Sequence, residues 1–233
     1  AEGDRVKLGQ VLFVDKRNPE VYYTSPGAGT VAAVNRGERR VLNSVVIELD
    51  GDAAESFATD KNDADQIRTT LCKSGLWRML RTRPFSRIPQ PDTKPNSIFV
   101  TAINTNPLAG NPALVINEDP EAFMDGVRIL AKLTDGKVFV CTQPDSGIPV
   151  PDGEQFEHAE FAGPHPAGLA GTHVHFLLGA ALSRVVWTVG YQDVIAIGHL
   201  CRVGEMRTER IVSLAGAAVR TPGLVRTRLG ASL

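Results

Sequence analysis

The sequence predicts an α/β multidomain protein, in which a β-rich unit precedes a mostly parallel sheet flanked by helices. Short apolar runs separated by glycine, proline, asparagine and aspartate fill residues 1–50, which is typical of an all-β unit. Further along, strand-like runs alternate with helix-like runs, as they do in parallel sheets. Hydrophobic residues make up 42% of the 233 residues, which is enough to fill a core.

The first unit is predicted to span residues 1–50, with strands at 11–14, 21–24, 30–34 and 45–49. Its run GDRVKLGQVLF resembles the half-repeat of biotinyl and lipoyl carrier domains, which implies a barrel-sandwich fold. Lys16 is the candidate for a covalently attached cofactor. Because its setting VDKRNPE lacks the methionine-flanked hairpin tip of those carriers, we expect a solvated turn lysine on a reused scaffold.

Residues 51–75 are predicted to be a polar linker followed by a helix at 66–73 that ends at Gly75. The next domain is predicted to span 76–208, with strands at 97–103, 138–141 and 185–189. The acidic run EDPEAF is expected to open a helix closed by Asp135 and Gly136, and a second helix covers 194–200. This order predicts a Rossmann-like fold. Residues 209–233 hold two further predicted strands, at 210–215 and 224–229, which end this domain or begin another.

Composition and cysteine spacing argue against several kinds of function. The formal net charge of −1 argues against a general affinity for nucleic acid or an anionic membrane, although local patches are a separate question. Cys72, Cys141 and Cys201 are too widely spaced for a disulfide framework, a cysteine-rich zinc site or an iron–sulfur cluster. Cys141 is expected to be a core residue. No apolar run reaches the roughly 18 residues that a membrane-spanning helix needs.

Two stretches carry candidate functional residues. A basic run beside Trp77 and Phe85 holds four arginines, whose guanidinium groups suit phosphate, carboxylate or a neighbouring protein chain: Arg78, Arg81, Arg83 and Arg87. The glycine–histidine run FAGPHPAGLAGTHVHF, residues 161–176, packs glycines, prolines and histidines more densely than a structural element needs. Its three histidines can change charge near neutral pH or ligate a metal: His165, His173 and His175.

The sequence as a whole resembles one protein family. GPHPAGLAGTHVHF followed by VVWTVGYQDVIAIGHL closely resembles the NqrA subunit of the bacterial Na+-translocating NADH:quinone oxidoreductase. RTRPFSRIP, INTNPLAGNPA, KVFVC and LVRTRLGASL resemble the same family in its order, so the resemblance covers essentially the whole chain. It implies a fragment that starts inside the family's first domain and stops partway along a complete NqrA chain.

The resemblance implies a peripheral subunit on the cytoplasmic face of the bacterial inner membrane, in a complex that passes electrons from NADH to ubiquinone and exports Na+. Its expected part is the late step, from ubisemiquinone to ubiquinol, and the isolated chain should not turn over. The family resembles the NADH- and flavin-binding subunit of respiratory complex I, but without its cofactor sites. The sequence lacks the nucleotide-binding glycine motifs GxGxxG and GxxxxGK[ST], which agrees with the loss of those cofactor sites. We therefore expect no tightly bound cofactor here, with flavins and the iron–sulfur centre in the partner subunits.

Within that family, the glycine–histidine run would offer a slot for the quinone ring, with apolar walls and hydrogen-bond donors. The candidate residues are Gly163, Pro164, His165, Gly168, Leu169, Gly171, Thr172, His173 and Phe176. His165 and His173 are the candidate proton donors, because reduction of a quinone takes up protons.

Other roles are open for these residues. The glycines and histidines could serve only the fold, by allowing a helix to pack closely on the sheet. His173 and His175 could bind a metal from one face of a strand, with a third ligand from His158, Glu157 or Glu160, but a helix would point the two rings about 200° apart. For the whole chain, the alternatives are a non-catalytic docking subunit of that complex or an Rnf-type electron-transport subunit.

Overall fold

The computed structural model describes residues 1–179 and 181–232, and begins with a β-rich unit. The strands of this unit are β1 (Arg5–Val6), β2 (Val11–Asp15), β3 (Asn18–Thr24), β4 (Gly29–Arg36) and β5 (Leu42–Leu49). β1, β4 and β5 form an antiparallel sheet in that order, while β2 and β3 form a separate hairpin. All four predicted strands are confirmed. Lys16 lies exposed in the turn between β2 and β3, as the sequence predicts for a solvated turn lysine.

A five-stranded mixed sheet forms the centre of the next part of the chain. Its strands are β6 (Arg81–Arg83), β7 (Ile98–Ala102), β8 (Val138–Thr142), β9 (Phe156–Glu160) and β10 (Val186–Gly190). They lie in the order β6–β10–β7–β8–β9, with β6 antiparallel to β10 and every other pair parallel. The chain therefore winds outwards from β7 to β9 and then returns to β10 on the other side of β7. The winding direction reverses between β7 and β10.

The α-helices surround this sheet. They are α1 (Ala64–Ser74), α2 (Pro112–Ile116), α3 (Pro120–Ala131), α4 (Ala170–Leu178) and α5 (Tyr191–Val203). α1 begins at Asp63, whose carboxylate accepts hydrogen bonds from the next backbone N–H groups, and ends at Gly75 in the left-handed conformation. α3 ends at Ala131, earlier than the predicted stop at Asp135 and Gly136. None of the helices in the described ranges is long and apolar enough to cross a membrane.

One face of the sheet carries the main core. Ile98 and Val100 of β7 point to this face and are completely buried against the layer that contains α3 and α5. Trp77 meets Trp187 of β10 edge to face, with ring centroids 5.3 Å apart. Val21 of β3 joins the same core, so the β-rich unit packs directly on the α/β part of the chain.

The contact between α3 and α5 depends on two glycines. A Cβ on Gly198 of α5 would collide with the backbone carbonyl of Ala122 in α3. A Cβ on Gly126 of α3 would collide in the same way with the carbonyl of Val194 in α5. The two helix backbones therefore touch, which brings their apolar faces together over the sheet.

The opposite face carries a smaller core beneath α4. Phe99 and Phe139 stack with ring centroids 4.6 Å apart, and Cys141 lies beside them, completely buried. Val174 of α4 packs on this group together with Val186 of β10. Cys141 is thus the core residue that the sequence predicts, and burial raises its pKa to about 12.

A hairpin of β11 (Glu209–Leu214) and β12 (Gly223–Arg228) connects both parts of the structure. The Arg228 guanidinium donates to the carbonyl of Pro26 at 2.8 Å, in the β-rich unit. The Ser213 hydroxyl donates to the carbonyl of Leu108 at 2.7 Å, in the loop after β7. The two strands predicted in this region are confirmed.

The glycine contact gives a stability prediction. Gly198→Ala should lower the free energy of unfolding by about 2 kcal/mol or more, because the added methyl group meets backbone that cannot move aside. The matched control is Gly171→Ala in α4, where a Cβ would meet no atom within 4 Å. This control should be neutral or stabilising by up to about 1 kcal/mol, from helix propensity alone. Denaturant unfolding of both variants measures the difference, and equal effects would contradict the close contact.

Candidate functional site

The glycine–histidine run folds as a compact turn followed by α4. In the turn, the N–H of Ala167 donates to the carbonyl of Pro164 at 3.0 Å, and that of Leu169 to the carbonyl of Pro166 at 2.9 Å. The Thr172 hydroxyl also donates to Pro166, at 2.9 Å. The Pro166 carbonyl therefore holds the start of α4, and the Pro164 carbonyl holds the turn before it, although no side chain caps the helix.

Thr105, in the loop after β7, anchors this turn to the sheet. Its hydroxyl accepts a hydrogen bond from the N–H of Gly168 at 2.9 Å and lies 3.3 Å from Nδ1 of His165. A Cβ on Gly168 would lie 2.8 Å from the backbone nitrogen of Thr105, so the close approach requires a glycine. His165 consequently sits beside the loop that follows β7, at the carboxyl edge of the sheet.

His173 is completely buried at the base of α4. Its Nε2–H donates to the carbonyl of Ala167 at 2.9 Å, and its ring lies 4.3 Å from that of Phe161, centroid to centroid. Nδ1 has no hydrogen-bond partner within the described ranges. Burial lowers the pKa of His173, and the hydrogen bond to Ala167 only partly opposes this. The side chain therefore favours the neutral form.

The metal interpretation of the histidine pair is wrong, because the segment is a helix and not a strand. α4 directs His173 into the core, whereas His175 is exposed and packs edge-on against Phe176. The proposed third ligands His158, Glu157 and Glu160 lie on β9. Among the residues that the structure describes, no group of three or more His, Cys, Asp or Glu side chains could hold a metal ion.

The four arginines of the basic run divide into two pairs. The Arg78 guanidinium lies 4.4 Å from the centroid of the Tyr23 ring in β3, and burial lowers its pKa. Arg81 donates to the backbone carbonyl of Leu80 at 3.1 Å. These two arginines thus contact neighbouring parts of the chain itself. Arg83, the last residue of β6, is half-buried, and Arg87, beyond the turn that follows, is exposed.

A cleft of about 360 Å³ lies between α4 and β6. Its lining is mostly apolar and comes from both predicted functional stretches and from the segment before β10: Arg83, Pro84, Gly171, Val174, Gly179, Ala181, Leu182, Arg184 and Val186. Clefts of roughly 300–1,000 Å³ with apolar walls and few polar groups are typical of sites for small organic molecules.

Two arginines, Arg83 and Arg184, bring positive charge to the lining of this cleft. The Nε–H of Arg83 is buried and has no hydrogen-bond partner in the described part of the chain. Leaving this buried donor unpaired costs about 1–3 kcal/mol. Arg184 donates to the carbonyls of Leu178 and Gly179 at the end of α4, and this fixes its orientation.

The structure separates the predicted quinone-binding residues. Gly171 lines the cleft, where a Cβ on it would meet open space. Gly163, Pro164 and His165 lie exposed in the turn, while Gly168 and His173 are buried. The remaining candidates lie on the surface or are half-buried: Leu169, Thr172 and Phe176. Sequence reasoning missed the contribution of Leu182, Arg184 and Val186, for which the apolar run LLGAALSRVV is the available signal.

Two family models together match most of the chain. A model described as the NqrA N-terminal barrel-sandwich hybrid domain matches residues 1–50. A model described as the NqrA second alpha/beta domain matches residues 62–206. These matches correspond to the β-rich unit and to the part of the chain that contains the mixed sheet.

Whole-chain similarity extends to proteins whose names designate the NqrA subunit of Na(+)-translocating NADH-quinone reductase. The chain is 56% identical to the one from Saccharophagus degradans, with 99% of this chain and 53% of the relative covered. It is 54% identical to the one from Pseudomonas aeruginosa, with the same coverage. For Glaesserella parasuis the identity is 51%, with 100% of this chain and 54% of the relative covered. The chain thus spans about half the length of these relatives.

The burial of His173 gives a pH prediction. Because its folded pKa lies below the ordinary value of 6.5, the unfolded chain takes up a proton first as the pH falls. The contribution of neutral His173 to the free energy of unfolding should therefore be fully present above pH 6.5. It should be lost as the pH drops from 6.5 towards the folded pKa. His173→Gln removes this contribution while keeping a donor for Ala167, so its stability should fall less between about pH 7.5 and 5.

Denaturant unfolding across that pH range is the measurement. His199, whose pKa is also lowered by burial, contributes equally to both proteins and cancels in the comparison. His175→Gln controls for the effect of glutamine on α4. Parallel stability curves for wild type and His173→Gln would contradict a buried neutral imidazole at this position.

Proposed function

The chain belongs to the NqrA family, and on that premise we propose that it supplies part of the ubiquinone-reducing site of a Na+-translocating NADH–quinone reductase. It would act as a peripheral subunit on the cytoplasmic face of the membrane. The flavins and the iron–sulfur centre would belong to the partner subunits, with no tightly bound redox cofactor in this chain. The observation that carries the proposal is the cleft between α4 and β6.

The cleft suits a quinone ring because it combines apolar walls with a guanidinium donor. Val174 and Val186 give it two apolar walls, and the bare backbone at Gly171 leaves room for a flat ring. The Arg83 guanidinium, which lines the cleft, can donate to one carbonyl oxygen of the quinone. Negative charge develops on the quinone oxygens during reduction, and a guanidinium in an apolar setting stabilises such charge more strongly than water does.

The proton donors are a separate part of the proposal. His165 and His173 are the candidates, and neither lines the cleft. Because burial lowers the pKa of His173, this residue is the poorer general acid near neutral pH. His165 is exposed and rests against Thr105, so we assign it the more direct role in delivering a proton, through water or a neighbouring protein of the complex.

We also propose that the second domain derives from a Rossmann-like scaffold related to the complex I flavin- and NADH-binding subunit. The parallel strands, numbered in chain order, lie as 3-2-1-4, which matches the first four strands of the Rossmann order 3-2-1-4-5-6. The family assignment makes the Rnf-type alternative unnecessary. A non-catalytic docking subunit is the remaining alternative, and substitutions in the cleft distinguish it from a quinone site.

Filling the cleft should impair quinone reduction selectively. In the assembled complex, Gly171→Leu adds a side chain to the cleft lining at a position where a Cβ meets no atom within 4 Å. The kcat/KM for ubiquinone should fall by about tenfold or more, a loss of roughly 1.4 kcal/mol, while NADH oxidation by an artificial acceptor persists. His175→Leu on the exposed side of the same helix is the matched control. Unchanged quinone reduction in Gly171→Leu would favour the docking alternative.

Removing the Arg83 guanidinium should lower ubiquinone reduction without lowering the stability of the chain. Arg83→Met keeps an unbranched chain and removes a buried unpaired donor, so the free energy of unfolding should stay equal or rise by about 1 kcal/mol. Ubiquinone reduction by the assembled complex should nevertheless drop by about tenfold, through loss of one charge-assisted hydrogen bond. If stability falls and activity per assembled complex is unchanged, Arg83 is structural and not part of a quinone site.

A further inference from the structure

The turn after β6 is closed by hydrogen bonds and presents an aromatic side chain to solvent. Phe85 and Ser86 both adopt left-handed backbone conformations, with φ of 76° and 49°. Thr82 holds the turn closed, because its N–H donates to the carbonyl of Arg87 at 2.8 Å and its hydroxyl to that of Pro84 at 3.1 Å. The hydroxyl also accepts from the N–H of Arg87 at 3.1 Å. Non-glycine residues rarely hold such conformations without a compensating role.

Phe85 is one of two exposed apolar side chains at turns beside the cleft, which we call the apolar tips. Its side chain is 72% exposed, and the Arg87 guanidinium lies 5.7 Å from the centroid of its ring. Leu182, which is 78% exposed, lines the same cleft as Pro84, the neighbour of Phe85. We call Phe85, Arg87, Leu182 and Arg184 the Phe85 surface.

The segments that build this surface carry positive charge alone. Residues 75–91 and 161–190 contain no aspartate or glutamate, although the whole chain holds 26 acidic residues against 25 basic ones. The nearest acidic residue in sequence after β10 is Asp193 of α5, and it is paired with Arg210 at 2.7 Å. A near-neutral protein thus has a local cationic region around two exposed apolar tips, which complements a partner that is both anionic and apolar.

We propose that the Phe85 surface docks on an anionic phospholipid surface. Phosphate groups lie directly above acyl chains in such a surface, so it can pair with guanidinium groups while it accepts apolar tips. The two tips project from separate turns, and a deformable lipid layer accommodates such tips without a matching shape. A folded protein partner would need complementary pockets for both. This inference rests on exposure and charge and does not depend on the proposed quinone site.

Vesicle binding tests the proposal. The chain should cosediment with vesicles of phosphatidylcholine and phosphatidylglycerol in a ratio of about 7:3 and bind weakly to vesicles of phosphatidylcholine alone. Removing one cationic contact should lower the partition coefficient between vesicles and water about fivefold. Arg87→Glu should therefore lower it by at least that much. Added salt should reduce binding further. Phe85→Ser should lower it by about tenfold, through loss of an inserted aromatic ring.

Matched variants distinguish this surface from general adsorption. Phe176→Ser changes a ring that is 73% exposed on α4, and Arg17→Glu changes an exposed arginine in the turn between β2 and β3. Neither should lower binding as much as the Phe85 and Arg87 variants do. The proposal is overturned if the chain does not bind anionic vesicles, or if all four variants bind alike. It is also overturned if Phe85→Ser weakens association with another protein of the complex but leaves vesicle binding unchanged, because the occupant is then a protein.

Discussion

The packing of α4 on the second face of the sheet is the contact on which the candidate site depends. Val174 meets Phe99, Phe139 and Val186, and these residues define how closely the helix approaches the strands. The helix extends over only nine residues, so it covers the small core but leaves the surface next to β6 open. The cleft is the direct result of this incomplete cover. On the opposite face, the glycine contact between α3 and α5 closes the layer.

The polar groups around α4 show why this region has the character of a site. His173 on the buried face of α4 and Arg83 beside the helix each bury a nitrogen that no other group of the described chain satisfies. Arg78, which lies a few residues before Arg83, instead rests on Tyr23 and donates to the carbonyl of Gly75. The same basic run therefore contains one arginine that contacts the β-rich unit and one that lines the cleft. Unsatisfied buried groups are uncommon in folded proteins, and the described residues contain two more, Arg68 Nε and Trp187 Nε1.

Much of the fold could be predicted because its signals are local. Ile98 and Val100 alternate with Phe99 along a strand whose apolar residues are all buried, and the helix that contains Phe123 has its apolar residues on one side. β9 was harder to predict, because FEHAE is a short edge strand of partly exposed, mostly polar residues. The glycines and prolines before α4 mask its helical pattern in the sequence. The spacing of His173 and His175 is therefore compatible with either a strand face or a helix. The site itself joins Arg83 to Val186, and only tertiary packing reveals that contact.

The central claim is that a quinone occupies the cleft beside Gly171, and cysteine protection tests it most directly. The three native cysteines are all buried, so a Gly171→Cys thiol in the open cleft should dominate alkylation of the folded chain. Saturating ubiquinone with a short side chain should slow that alkylation by about tenfold, while a Phe176→Cys thiol on the exposed flank of α4 should react at its normal rate. If ubiquinone leaves both rates unchanged in the isolated chain and in the assembled complex, the cleft is not a quinone site.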